Sequence, residues 1–524
     1  MHGNIKGGSF MRKLFALVLT AILLSTLSVG IAEDVFVYDS PVTLKISVFD
    51  RGVTGQTPVD NNYWTDWIQE NFGNPRNINL QWVVIPRSEE VAKLNTLMAS
   101  GEAADICITY SEPVITNFVK QGGLVELTDL IDKHGPNIKA YLGEELLKYG
   151  IFEGGQYAIP AKRVVLATMG MFIRSDWVEK LGKEMPTTKQ EFYELLVAFR
   201  DNDMNGDGDP DNEIPYAFSN DLTLHNPLML SFLKDLSPKT LATVPDICQD
   251  GYEDYVLFLN KLYHEGLVTK DFAMDKSDLQ WQSVTSGIAG GYTYNYDHPI
   301  RVSPGILASL QANEPDAMLR PLNCFESATD PNKYYHGMYA PNGIFTFVPV
   351  FAKNPEAAIM YLDWLCQYDV LYFLQNGVEG KHYKLNEQGV PLLLGVADET
   401  KFNSMQNIDY TLLTNGQEFK DESLRIAAQA ASYQGYEELF EEEYIVGNTD
   451  PLTTNFHFDV ILEADSQYAT YLSEFKLELL TKAVMASPEE CLNVFHKLRE
   501  QYMEEGGQAV MEEKIAAWEK MHGE

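Results

Sequence analysis

TLKISVFDRG, residues 43–52, alternates apolar and polar side chains to Val48 and then breaks into Phe49-Asp50-Arg51-Gly52, a strand feeding a polar turn. NNYWTDWIQENF (61–72) places Tyr63, Trp64, Trp67 and Ile68 at helical spacing, and Ile78, Leu80, Trp82 and Val84 then alternate as a second strand. Ser88 is placed to cap a helix running through Val91, Leu94, Leu97 and Met98 to Gly101, and Asp105 to Thr109 reads as a third, buried strand. Strands and helices alternating at these lengths predict a parallel sheet with crossover helices, hence an α/β fold. Ligands of such sheets bind beyond the carboxyl ends of the strands. That rule makes Phe49 to Arg51 and Thr109 to Glu112 a candidate site, with Asp50, Arg51 and Tyr110 as ligand-binding side chains and Trp64 close by.

The pattern continues through Leu124 to Ile131, Gln156 to Pro160 and an apolar strand at Val164 to Ile173. Helices at 176–181 and 187–200 then deliver the chain into DNDMNGDGDPDNEIP (201–215). Asp203, Asn205, Asp207, Asp209 and Asp211 recur at every second position, glycines at 206 and 208 bend the backbone, and Glu213 follows. A hard cation takes six to eight oxygens, and a tight loop of this pattern can supply them, so the stretch reads as a calcium loop. The alternative is a solvated acidic turn, since Asn, Asp, Gly and Pro are common turn residues. A twelfth-position Glu in EF-hand spacing is lacking: counting from Asp201 that position is Asn212, and from Asp203 it is Ile214. A structural ion is therefore expected rather than a sensor.

Further on, 252–265 is an amphipathic helix, GIAGGYTYNY (287–296) is a small-residue strand entering a triplet of tyrosines, 341–351 is apolar and extended, and 463–521 is mostly helical. No internal repeat stands out.

A chain of 524 residues is too long for one ordinary core, so two or more domains are expected. Its formal net charge of −36 disfavours nucleic acid and anionic lipid head groups as partners. Met11-Arg12-Lys13 precedes the apolar run LFALVLTAILLSTLSVGIA, which exits through Gly30 and Ala32; this reads as a secretory signal over residues 1–32, with a membrane anchor as the alternative. No cysteine stands at that exit, so a lipid anchor is not expected. The five cysteines, at 107, 248, 324, 366 and 491, are sparse, odd in number and free of CxxC spacing; buried free thiols are expected, with no disulfide framework and no zinc.

The chain has no GxSxG, HExxH or P-loop pattern. Two carboxylates would suffice for a glycoside hydrolase, and 75 acidic residues supply candidates without singling out a pair, so a secreted hydrolase or lyase stays open as a minor alternative. Flat aromatic rings near strand ends suit the C–H faces of sugar rings, which brings in Trp281, Tyr292 and Tyr294 beside Trp64 and Tyr110; for each the competing role is core packing. Arg163 is placed for an anion clamp if the sugar carries a uronate, with a surface ion pair as the plainer role.

LNTLMASGEAADI (94–106), GGQYAIP (154–160), IRSDWVEKLG (173–182), the acidic loop, KNPEAAIMYLDWL (353–365) and GVEGKHY (377–383), in this order, resemble the extracellular solute-binding proteins of bacterial ABC importers. The likeness is to the LplA-like group, which includes alginate and aldouronate oligosaccharide binders. It covers nearly the whole chain after the signal. The resemblance implies a two-lobed periplasmic-binding-protein-like fold with hinge strands and a helical C-terminal region. Lobe 1 would hold 33–162 plus about 350–400, and lobe 2 would hold 163–349 plus about 401–524, with crossings near 161–165, 348–352 and 395–410. It further implies an oligosaccharide or, as the alternative, a peptide or other small solute as ligand, permease subunits as partners, a monomer, and no catalysis. In the loop it implies side-chain oxygens from Asp203, Asn205, Asp207 and Asp211, the carbonyl of Asp209, and Asn212 or Glu213 as the last ligand. The group's usual Pro-Asp-Ile strand entry is here Ala104-Asp105-Ile106, and Asn212 separates Asp211 from Glu213 where the group sets Asp and Glu side by side.

Overall fold

The computed structural model describes residues 35–523 except 53–55, 210–211, 274–276, 302–304, 324 and 395–406. The expected signal segment, Asp211, Cys324 and most of the expected third crossing lie outside the described residues. The elements that position the site are β1 (Val42–Asp50), α1 (Tyr63–Ile68), β2 (Ile78–Pro86), α2 (Glu90–Ser100), β3 (Cys107–Thr109), α3 (Glu112–Lys120), β4 (Ile159–Arg163), β5 (Met169–Arg174), α4 (Lys189–Arg200), α5 (Ser277–Thr285), β6 (Gly291–Asn295), β7 (Leu319–Leu322), β8 (Asn342–Phe347), α6 (Pro355–Leu365), β9 (Thr414–Asn415), α7 (Glu437–Gly447), α8 (Glu463–Met485), α9 (Cys491–Tyr502) and α10 (Gln508–His522).

The first lobe grows from the β1–α1–β2–α2–β3 alternation read in the sequence. β1 buries Leu44, Ile46 and Val48, and pairs in parallel with β2 along its whole length, from Val42 opposite Ile78 to Asp50 opposite Pro86. Asn62 caps α1 in a reciprocal box with Thr65. Ser88 makes no cap bond: α2 starts at Glu90 after a short turn at Arg87–Glu89. The reason lies inside, where the buried Glu90 carboxylate is drawn to the Thr109 hydroxyl (2.8 Å) and the Tyr110 N–H (2.7 Å).

β1 meets the β3 strand in parallel through Ile46 and Ile106, and the sheet continues in the order β3-β8-β4-β9. β8 runs antiparallel to both β3 and β4, so the sheet is mixed and not purely parallel. The direction follows from the path of the chain. β4 leaves the sheet at its carboxyl end, and β8 returns alongside that exit, so it enters pointing the other way. This also corrects the expected crossing at 348–352, because 342–347 is already paired inside the first sheet. Tyr410, Leu412 and Leu413 likewise pack in the first core with Ile46, Trp64 and Leu362, which moves that lobe's edge beyond 400.

The second lobe is built on the antiparallel sheet β6-β5-β7. Its larger core joins Trp177, Phe192 and Phe199 to Leu472, Leu479 and Phe495, so α8 and α9 cover this lobe and make the helical C-terminal region. Three segments cross between the lobes side by side: Arg163 N–H donates to Pro341 O (2.8 Å), Tyr339 N–H to Leu166 O (2.8 Å) and Val164 N–H to Asn415 O (3.0 Å). Cys107, Cys366 and Cys491 are buried, Cys248 is half-buried, and all four are free. Burial pushes the Cys107 thiol up to about 12, which keeps it inert.

Candidate ligand cleft and acidic loop

Register brings the carboxyl ends of β1, β3, β4 and β9 and the amino end of β8 to one rim of the first sheet. Asp50 turns back on its own loop, accepting from Gly52 N–H (2.8 Å) and from the Gln56 amide. Arg51 makes a two-pronged pair with Asp409, both bonds 2.8 Å, and reaches the Tyr110 hydroxyl at 3.4 Å. Burial works against the Arg51 charge, but the hydrogen-bonded Asp409 carboxylate outweighs it and raises the guanidinium pKa. Tyr110 stacks on Phe49 with ring centres 5.9 Å apart, and Arg87, paired with Glu90 at 2.6 Å, lies 4.3 Å from the Tyr110 ring centre and 5.3 Å from that of Phe49. An open hollow of about 680 Å³ adjoins it, lined by Arg87, Glu90, Asn95 and Ser111. Arg163 stands over the Tyr339 ring at 4.6 Å and donates through Nε to the Asn342 carbonyl (3.3 Å).

The rim of the second sheet is aromatic. Trp281 meets Tyr294 edge-on at 5.0 Å and His298 at 4.9 Å, and His298 lies 4.1 Å from Tyr294. Burial, with Arg301 adding to it, pushes His298 down to about 3, so this ring is neutral like its neighbours. Burial raises the Tyr294 phenol.

Two candidates are placed in the core. Trp64 is fully buried, packed on Phe373, Tyr63 and His382. Tyr292 is fully buried too, against Phe172, with its hydroxyl 3.0 Å from His298 Nδ1. Neither has a face left for a ligand. Arg87, Tyr339, Asp409, Asn415 and His298 were not singled out in the sequence. Arg87 could have been, because it follows the carboxyl end of β2.

The acidic loop follows α4. The Asp203 carboxylate accepts from Gly206 N–H (2.7 Å) and Gly208 N–H (3.0 Å), and the Asn205 oxygen from Asp207 N–H (2.9 Å). Asp207 accepts from Asp209 N–H (2.8 Å) and from the Asn212 amide (2.7 Å). Both glycines sit at positive φ, 77° and 93°, where a side chain would be strained. One Glu213 oxygen accepts from Met204 N–H (2.8 Å), while the other is buried with no donor. Among the described residues no three His, Cys, Asp or Glu side chains are gathered closely enough to hold a metal ion. The donor set still fits a hard cation: it is all oxygen, and the buried Glu213 oxygen is an acceptor without a partner.

Two α/β lobes joined by three adjacent crossing segments define the two-lobed binding-protein architecture. Residues 57–309 match the family of bacterial extracellular solute-binding proteins. The lipoprotein LipO of Bacillus subtilis (strain 168) is 28% identical over 324 residues, 60% of this chain and 62% of its own length. The fructooligosaccharide ABC transporter substrate-binding protein FusA of Streptococcus pneumoniae serotype 4 is 27% identical over 228 residues, 37% of this chain and 40% of its own. The match therefore spans about three fifths or less of these curated relatives. The crystal structure of the alginate-binding protein AlgQ2 without calcium ion superposes with a TM-score of 0.62 at 19% identity, covering 93% of this chain and 100% of that one. Among the described residues no helix is long and apolar enough to cross a membrane.

Proposed function

We propose that the protein is the extracellular substrate-binding component of an ABC importer, which takes up an oligosaccharide between its lobes and delivers it, chemically unchanged, to membrane permease subunits. The observation that carries this reading is the pairing of a hydrogen-bonding rim on the first sheet with an aromatic rim on the second, across three adjacent crossing segments. Closure about those segments would bring ring faces and polar groups onto one ligand. Asp50, Arg51, Tyr110 and Arg163 would bind hydroxyls or charge, while Trp281 and Tyr294 would pack on the C–H faces of the sugar.

Export would use residues 11–32, and the mature protein would work outside the membrane as a monomer. The acidic loop would hold one calcium ion through Asp203, Asn205, Asp207, Asp209, Asp211, and Asn212 or Glu213. That ion would neutralise the clustered carboxylates and fix the loop below α4. FusA and AlgQ2, named for fructooligosaccharide and alginate, support the sugar reading.

The test is a thermal-shift and calorimetry panel of oligosaccharides and peptides. Oligosaccharides should raise the melting temperature and generate no new reducing ends. A shift with peptides alone would replace the sugar by a peptide ligand, and new reducing ends would make the protein an enzyme.

A further inference from the structure

We infer that the oligosaccharide carries a carboxylate, and that Arg163 is the residue that binds it. The inference rests on the oligosaccharide reading above and names the class of sugar. Three arginines stand at the rim of the first sheet. Arg51 is paired with Asp409 (2.8 Å) and Arg87 with Glu90 (2.6 Å), and the neighbouring Lys162 is paired with Glu418 (2.9 Å). Among the described residues Arg163 has no carboxylate. Its one bond is from Nε to the Asn342 carbonyl, and its flat face rests on Tyr339. Burial without a counter-charge lowers its pKa, the reverse of the shift at Arg51.

The missing partner is informative because acids are abundant here: 75 Asp and Glu against 39 Lys and Arg. A chain with nearly two carboxylates for every base has left a half-buried guanidinium unpaired at the junction of its lobes. An unpaired buried charge is costly, and a bound anion would remove that cost. A planar guanidinium held against Tyr339, with its terminal nitrogens unbonded, matches a carboxylate in the two-pronged manner. Beside it the Asn342 side-chain oxygen is buried and lacks a donor, and the Tyr110 hydroxyl lies 3.5 Å from the Asn415 amide. An acceptor without a donor next to an unpaired cation is the complement of a ring that carries a carboxylate and a neighbouring hydroxyl. A neutral sugar would answer Asn342 and leave Arg163 unpaired. The chain's net charge of −36 opposes an anionic ligand at long range, so recognition of the anion must be local.

The experiment measures Kd for trisaccharides of galacturonate, glucuronate, mannuronate and guluronate, each beside its carboxyl-reduced neutral counterpart, with neutral trisaccharides and short peptides in parallel. At least one uronate should bind thirtyfold or more tighter than its reduced form. In Arg163→Gln that ratio should fall below threefold, and Arg163→Lys should keep part of it. Reducing the ligand needs no variant, so a misfolded Arg163→Gln, recognised from its melting curve, would not decide the matter. Uronate and reduced forms bound within threefold of each other, a preference for neutral trisaccharides, or an intact ratio in folded Arg163→Gln would each overturn the acidic-sugar inference while leaving the oligosaccharide reading standing. Peptides binding while no saccharide does would overturn both.

Discussion

The rims of the two sheets are built on opposite principles. On the first sheet, charged groups are tied to one another within the lobe: Arg51 to Asp409, Arg87 to Glu90, Lys162 to Glu418. On the second, Trp281, Tyr294 and His298 make a packed group of rings, with His298 held neutral by burial. The difference separates two tasks. Polar groups fixed by their neighbours are already oriented when a ligand arrives, which limits the ordering cost of binding. A ring surface adds contact area with little demand on direction. Each lobe should therefore respond to a different perturbation.

Acid should give the largest effect, and it should fall on the second lobe. His225 is fully buried, its Nδ1 2.7 Å from the Tyr255 hydroxyl and its Nε2 3.0 Å from the Ser219 carbonyl, and burial pushes it down to about 4. Its folded pKa lies below its unfolded one, so the unfolded chain takes up the proton first. The stabilisation is complete above about pH 6.5 and is lost as pH falls towards 4, amounting to roughly 3 kcal/mol. His298 adds a loss of the same sign over a range reaching lower, to about 3. In the first lobe His134 and His382 are displaced downward by burial too, but less far. Hydrogen exchange resolved by peptide should show the second lobe opening first between pH 6 and 4, with His225→Gln flattening the trend. Equal loss in both lobes would remove this part of the contrast.

Breaking the ion pair of the first rim comes next. Asp409→Ala leaves Arg51 without its carboxylate; removing one partner of a buried pair costs about 3 to 5 kcal/mol. Since the Arg51 side chain is 26% exposed, the expected cost is the low end, about 3 kcal/mol. Urea titration should show a lower midpoint, and oligosaccharide affinity should fall as Arg51 loses its fixed position. Unchanged affinity in a folded Asp409→Ala would mean that the pair is structural only.

Calcium removal should cost slightly less and act away from both rims. With free ion at a hundred times Kd, binding to the native state alone contributes about 2.7 kcal/mol. Chelation should lower the melting temperature by a few degrees, and Asp203→Ala with Asp207→Ala should reproduce the loss without chelator. Curves unchanged in both experiments would make the loop an acidic turn.

How far the sequence led can be traced residue by residue. β1, β2 and β3 were legible because their alternation is local, and the strand-end rule then picked out Arg51 and Tyr110 without any knowledge of the fold. Asp409 and Asn415 were not legible, since they reach Arg51 and Tyr110 across more than 300 residues of chain. The 341–351 run read only as apolar and extended, which suits a central strand and a crossing equally, and pairing with β3 and β4 puts 342–347 inside the first sheet. Tyr292 and Tyr294 share one face of β6 by the period of a strand, yet only Tyr292 is sealed, by Phe172 and by the bridge that Ala217 makes beside it. The covering segment comes from 75 residues earlier, so alternation within 287–296 could not separate ligand candidate from core. The acidic loop was legible as a constellation, while the donor-free Glu213 oxygen needed coordinates.

The smallest effect should come from the aromatic rim, and it bears most directly on the division of tasks. Trp281 is half-buried and packs edge-on against Tyr294, so part of its ring is already committed to its own lobe. Trp281→Ala should weaken oligosaccharide binding by on the order of 1 to 2 kcal/mol, the value of one lost ring contact. The ring nitrogen is buried without a partner, so the indole N–H contributes nothing within the lobe. Trp281→Phe should therefore keep affinity within about threefold, because it removes an unbonded donor and retains a ring. A tenfold loss in Trp281→Phe would show that closure turns the N–H onto the sugar, making the second rim a source of direction as well as of area. Full affinity in Trp281→Ala would show that recognition rests on the first lobe alone, and the contrast between the rims would then describe how the lobes are built rather than how they bind.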